Sequence, residues 1–140
     1  MIILDTNVIS EPQRKMPDQL VVEWLDKQPL ETLFLSAITL AELRFGMSSL
    51  PAGKRRDSLL DNLENRVLPL FTGRVLSFDS AASESYAALM AKAKSSGLAI
   101  STADGYIAAT AATNKMIVAT RDVSPFEAAG LRVINPWEVQ

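Results

Sequence analysis

Apolar residues recur along this chain in two different ways. Five short, mainly apolar runs have strand length: Ile2-Ile3-Leu4, Leu33-Phe34-Leu35, Val75-Leu76-Ser77-Phe78, Met116-Ile117-Val118-Ala119 and Leu131-Arg132-Val133-Ile134. Between them, apolar positions are spaced three and four apart, as on one face of a helix. Pro17-Asp18 opens such a segment, which runs to about Lys27 with Val21, Val22 and Leu25 facing a core. Ser36 caps a second, carrying Leu40, Leu43 and Met47, and Pro51 begins a third, with Leu59, Leu60, Leu63 and Val67 as its stripe. The Ala-rich stretch from Asp79 to Ser95 predicts a helix closed by Gly97. Ser101 or Thr102 caps another that reaches about Thr113, and Asn135-Pro136-Trp137 ends the fold. Short apolar runs alternating with helices predict an α/β fold with a mostly parallel sheet of about five strands. No linker, repeat or low-complexity tract divides the chain, so residues 1–140 read as one domain.

Composition narrows the chemistry. The chain has 140 residues, 48% of them hydrophobic, enough for one substantial core. A formal charge of −2 offers no global attraction to nucleic acid, so such a partner must be held by a local basic patch or through metal. Cys is absent, which removes disulfides, thiolate zinc sites and thiol nucleophiles. His is absent too, and with it the usual general base and every Ser-His-Asp arrangement. The N-terminus shows no basic and apolar leader pattern, and no apolar run approaches the ~20 residues of a membrane span. The expectation is a soluble, cytoplasmic protein.

Acids then stand out by position. Asp5 follows the first strand and Asp122 comes just after the fourth, at the carboxyl edge where parallel α/β sheets collect ligands. Glu42 lies about two turns into the helix after the second strand, and Asp104 lies in the first turn of the helix near residue 102. Each has an ordinary reading: Asp5 as a helix N-cap or turn residue, Glu42 as a solvated side chain, Asp104 as a complement to the helix dipole, Asp122 as a loop acid. Together they sit where one cleft would need them. Two carboxylates about 4 Å apart repel by roughly 4 kcal/mol at an effective dielectric of about 20, so a cluster must protonate, splay or recruit cations. Hard oxygen donors without nitrogen or sulfur favour Mg²⁺ or Mn²⁺ over zinc, and suit metal-assisted hydrolysis of a phosphodiester.

The residues also resemble a known family. Met1-Ile-Ile-Leu-Asp-Thr-Asn-Val-Ile-Ser10 is similar to the opening of PIN-domain ribonucleases. Ser36-Ala-Ile-Thr-Leu-Ala-Glu-Leu-Arg44 followed by Gly46 resembles their second motif, and Ser101-Thr-Ala-Asp-Gly-Tyr-Ile-Ala-Ala-Thr-Ala111 their third. Ala119-Thr-Arg-Asp122, Phe126 and Asn135-Pro136-Trp137 fit the bacterial toxin branch, VapC-type and particularly FitB-like. The resemblance spans nearly the whole chain. It implies a three-layer α/β/α sandwich, a Mg²⁺ or Mn²⁺ site, and endoribonuclease activity as the toxin of a type II toxin–antitoxin pair. It further implies a small DNA-binding antitoxin whose tail blocks the site, DNA contact only through that antitoxin, and a homodimer. Carried over by position, Asp5, Glu42, Asp104 and Asp122 form the catalytic, metal-holding tetrad, with Asn7 and Thr120 supporting it. Many VapC-like chains carry Asn where Asp122 stands, and an acid where Pro125 stands.

Other features have two readings each. Thr6 and Asn7 could orient Asp5, or serve a turn. Arg121 could contact RNA phosphate, or neutralise Asp122. Lys54-Arg55-Arg56 and Arg14-Lys15 read as solvated faces before RNA tracks, and Trp24, Phe45 and Trp137 as core or interface before base-stacking platforms. The alternative function is a weakly active or inert binding protein working through an antitoxin complex in transcriptional repression. An Asp-nucleophile phosphatase fits worse, because the acid those enzymes need two residues after Asp5 is Asn7 here.

Overall fold

A computed structural model describes residues 1–138. Its sheet has five strands, β1 (Ile2–Leu4), β2 (Leu33–Ser36), β3 (Val75–Leu76), β4 (Ile117–Ala119) and β5 (Val133–Ile134). All neighbours pair in parallel in the order β3-β2-β1-β4-β5, with Ile3 registered against Phe34 on one side and Val118 on the other. Helices α1 (Thr6–Ser10), α2 (Gln19–Lys27), α3 (Ala37–Ser48), α4 (Lys54–Asn62), α5 (Ser80–Ser95), α6 (Thr102–Thr113) and α7 (Val123–Ala128) supply the crossovers.

Strand alternation divides the core in two, because successive side chains point to opposite faces. Leu4, Leu33, Leu35 and Ala119 pack on one face with Val8, Val21, Trp24, Leu43 and Leu63. Ile3 and Val118 pack on the other with Leu89, Ile107 and Phe126. The result is the α/β/α sandwich expected. At Gly105 the two helices α5 and α6 approach so closely that a Cβ would stand 2.8 Å from Met90 Sδ and 2.9 Å from a Tyr86 ring carbon.

Most elements fall where hydrophobic spacing puts them. Asp18, Ser36, Asp79 and Ser101 cap α2, α3, α5 and α6 by accepting a backbone N–H. Gly97, at φ 71°, follows α5 in the left-handed conformation that spares glycine a steric cost. Differences occur at the ends. The third run is strand only at Val75–Leu76, and the fifth only at Val133–Ile134. The helix expected from Pro51 begins at Lys54, and its apolar stripe continues through a π turn at Leu63–Val67 and a 3₁₀ turn at Leu68–Phe71. Two short helices, α1 and α7, were not expected from periodicity. Among the described residues no helix is long and apolar enough to cross a membrane.

Candidate active site

In this strand order successive strands are added to one side of β1 and then, from β4, to the other, so the crevice between β1 and β4 is the topological switch point. Asp5 leaves β1 there, and Thr120-Arg121-Asp122 leaves β4 beside it. Helices α3, which follows β2, and α6, which precedes β4, both begin at the same edge; Asp104 lies in the first turn of α6 and Glu42 about two turns into α3. The acids are linked electrostatically: Asp104 and Glu42 act on Asp5, and Asp122 and Glu42 act on Asp104. The fold therefore gathers the four residues in one field.

Asp5 is the buried member, 5% exposed. Its Oδ1 accepts the Thr6 backbone N–H at 2.8 Å and so starts α1. Its Oδ2 accepts the Thr120 hydroxyl at 2.7 Å and the Asn7 amide at 3.4 Å. Burial pushes its carboxyl up from 3.8 to about 6; the Thr120 and Thr6 donors pull the other way, and Asp104 and Glu42 raise it further. Asp104, half-buried, is raised for the same leading reason, burial, opposed by Ser101 and augmented by Asp122 and Glu42. Asp122 and Glu42 are exposed.

A hydrogen-bonded scaffold joins the loops under these acids. Asn7 donates to Thr120 Oγ1 at 3.4 Å and accepts the Arg121 backbone N–H at 3.2 Å, while Thr120 Oγ1 accepts the Asp122 backbone N–H at 3.0 Å. Asn7 and Thr120 thus hold Asp5 and the β4 loop together, as their positions suggested. Thr6 contributes differently from expectation. Its amide serves Asp5, but its hydroxyl reaches Glu42 Oε1 at 2.7 Å and Thr39 Oγ1 at 3.4 Å. No spacing in the sequence signals that Thr6–Glu42 link across 36 positions. Arg121 does not pair with Asp122; its guanidinium carbon lies 5.2 Å from the centre of the Trp137 ring. Of the three aromatic residues assigned to core or interface, Trp24 is buried, Trp137 is partly buried, and Phe45 is 75% exposed. A cavity of about 300 Å³ opens beside Thr6 and Glu42, walled by Leu43, Met47 and Leu59 with Arg55 at its margin.

The donor set is all oxygen, and among the described residues no Lys or Arg is ion-paired with any of the four acids. A desolvated carboxylate without a cationic partner suits a hard divalent ion. Among the described residues, however, no three acids close into a ready-made metal cage. The residues therefore fit an ion held through one or two carboxylates and otherwise by water, the usual habit of Mg²⁺.

The PIN domain profile matches residues 2–131. The chain is 63% identical over 138 residues to the VapC ribonuclease Y4jK of Sinorhizobium fredii, covering 99% of both chains. It is 53% identical over 137 residues to the toxin FitB of Neisseria gonorrhoeae, covering 98% of this chain and 99% of that one. The crystal structure of FitAcB from Neisseria gonorrhoeae superposes with a TM-score of 0.97 at 52% identity, over 99% of this chain and 100% of that one. The structure of FitAB bound to an IR36 DNA fragment gives 0.97 at 51%, over 100% and 98%. The chain belongs to the PIN domain family.

Proposed function

We propose that this chain is an endoribonuclease toxin of a toxin–antitoxin pair, hydrolysing RNA phosphodiester bonds with Mg²⁺ or Mn²⁺ at Asp5, Glu42, Asp104 and Asp122. The observation that carries the reading is the convergence of these four acids at the β1/β4 switch point, with Asp5 buried and its carboxyl raised to about 6. Relatives named as a VapC ribonuclease and a toxin support it.

A divalent ion there supplies an activated water for attack on phosphorus and charge to stabilise the leaving oxygen. The protein's own work is positional. Thr120 and the Thr6 amide fix both oxygens of Asp5, so its carboxylate faces the crevice in one orientation. Thr6 tethers Glu42 from the β2 side. Asp104, on the first turn of α6, is aimed by the Ser101 cap.

The proposal includes a small DNA-binding antitoxin as partner, DNA contact through that partner, pairing of two copies, and residence in the cytoplasm. The similarity to a FitAB complex bound to DNA supports the partner. The test is digestion of total RNA by purified, antitoxin-free protein with Mn²⁺, beside Asp104→Asn and an EDTA control. Discrete fragments with 5′-phosphate and 3′-hydroxyl ends, from wild type alone, are expected. Fragments ending in 2′,3′-cyclic phosphate would refute this chemistry, because they arise from attack by the RNA's own 2′-hydroxyl.

A further inference from the structure

Arg121 and Trp137 form a pair that the acidic site does not use. Arg121 is the residue between Thr120, which supports Asp5, and Asp122, and its backbone N–H is tied to Asn7 Oδ1 at 3.2 Å. Its main chain is therefore fixed to the same scaffold that orients Asp5. Its side chain is exposed and leaves that scaffold to lie over the Trp137 ring, its guanidinium carbon 5.2 Å from the ring centre. Trp137 is itself held. It follows β5 through a turn in which its N–H donates to Asn135 Oδ1 at 3.0 Å, after the buried Pro136, and it packs against the core that contains Leu4 and Ala119.

Cation–π attraction to a ring spends no N–H donor on a carboxylate, and a guanidinium so held can still offer two donors at once to a phosphate. Among the described residues those donors make no hydrogen bond. An exposed Arg ordinarily loses much rotamer freedom when it grips a ligand. Here the indole has already restricted it, one residue from Asp122, on the rim of a site whose carboxylates repel a polyanion. An Arg paired with Asp122 would have spent donors on that carboxylate.

We propose that Arg121 grips a phosphate of the RNA strand entering the site, and that Trp137 is a positioning residue that acts through it. This inference rests on the nuclease reading only for the identity of the polyanion as RNA. It assigns the phosphate contact to one side chain and explains why a half-buried indole closes the fold at that point.

The test measures binding separately from cleavage. A fluorescein-labelled 12-nucleotide single-stranded RNA of mixed sequence is titrated by anisotropy with full-length wild type, Arg121→Gln, Arg121→Lys, Trp137→Leu and Trp137→Phe, in Mg²⁺ over a range of salt. Melting curves accompany each protein. Arg121→Gln is expected to weaken binding about ten-fold and to reduce the slope of log affinity against log salt by about 0.7, one phosphate contact on a single strand. Arg121→Lys keeps the charge, so it retains the slope while binding more weakly than wild type, having lost the fork. Trp137→Leu weakens binding although every charge remains, and Trp137→Phe, with a ring face restored, recovers it. Equal binding and equal slopes for wild type and Arg121→Gln would overturn the proposal, as would a wild type that does not bind the RNA. Loss by Trp137→Leu without recovery by Trp137→Phe would overturn the part given to the ring. Arginine-dependent binding without cleavage would defeat the nuclease reading and leave the phosphate contact standing.

Discussion

Replacing Asp5 by Asn should remove much of the loss of stability that metal-free protein suffers as pH rises. The carboxyl of Asp5 titrates at about 6 in the fold, against 3.8 as its ordinary value, mainly because it is buried. Between those values the folded state holds a proton that the unfolded state has released. Stability therefore falls as pH rises through this window, since it rises only where the unfolded state binds more protons. At about 1.4 kcal/mol per pH unit, a displacement of roughly two units costs about 3 kcal/mol once the group is ionised. Asp104 shifts in the same direction and adds to the fall. For a chain of this size, about 3 kcal/mol corresponds to roughly 10 °C in Tm. Asn keeps the shape and an oxygen acceptor but cannot ionise. The assay is thermal unfolding by circular dichroism in EDTA at pH 4 to 7.5. Wild-type Tm is expected to drop relative to Asp5→Asn by roughly 8–10 °C across that range, with most of the gap closed at pH 7.5 by Mn²⁺ in the wild type only. Parallel curves for the two proteins would show that Asp5 ionises without penalty, and the argument for a cation from its burial would fall.

Two further substitutions probe the scaffold. Thr120→Val removes the 2.7 Å donor to Asp5 and the acceptor of the Asp122 amide while keeping shape; it should cost about 1–3 kcal/mol in urea unfolding and lower metal affinity by roughly 10–100-fold. Gly105→Ala drives a methyl to within 3 Å of Met90 and Tyr86 and should destabilise by about 1–3 kcal/mol, with Met90→Ala in the same chain recovering part of the loss in chemical denaturation.

What could be read from the sequence follows from what kind of physical signal each element leaves. Ile2–Leu4 and Ile117–Ala119 are covered on both faces, so their unbroken apolar runs were visible without any partner. Val75–Leu76 is an edge strand that pairs only β2, and Ser77-Phe78 leaves the ladder although its run still looks like strand. Helix α1 is five residues containing Val8 and Ile9, poor helix formers by propensity; it exists because Asp5 caps it and the core takes those two side chains. Helix α7 is six residues with Pro125 in its first turn, tolerated there because that N–H has no intrahelical partner to lose. Asp5, Asp104 and Asp122 could be placed at strand ends and a helix start, and Glu42 within a helix, because those elements can be located from the pattern. The Thr6–Glu42 bond and the Arg121–Trp137 contact could not, because pairs 36 and 16 positions apart leave no periodic trace.

The N-cap role of Asp5 and its proposed metal-holding role are compatible, and the reason points to Thr6. Oδ1 caps α1 and Oδ2 receives Thr120, so the cap is what fixes the direction of the carboxylate. Thr6 divides its labour in the same way: its backbone amide completes the cap, and its hydroxyl alone reaches Glu42. Thr6→Val separates the two, since the amide survives and the hydroxyl does not. Folding should then lose only about 1 kcal/mol, from the Glu42 bond and the weaker contact to Thr39. Glu42 is exposed and has no other hydrogen bond among the described residues, so it loses its fixed orientation. Cleavage of RNA should drop by roughly 10–100-fold, the usual consequence of releasing a ligand from its support, with partial recovery at high Mn²⁺. Thr6→Ser, which keeps the hydroxyl, should restore activity. If Thr6→Val instead cleaves as fast as wild type, Glu42 does not need to be held and acts in the crevice through charge alone.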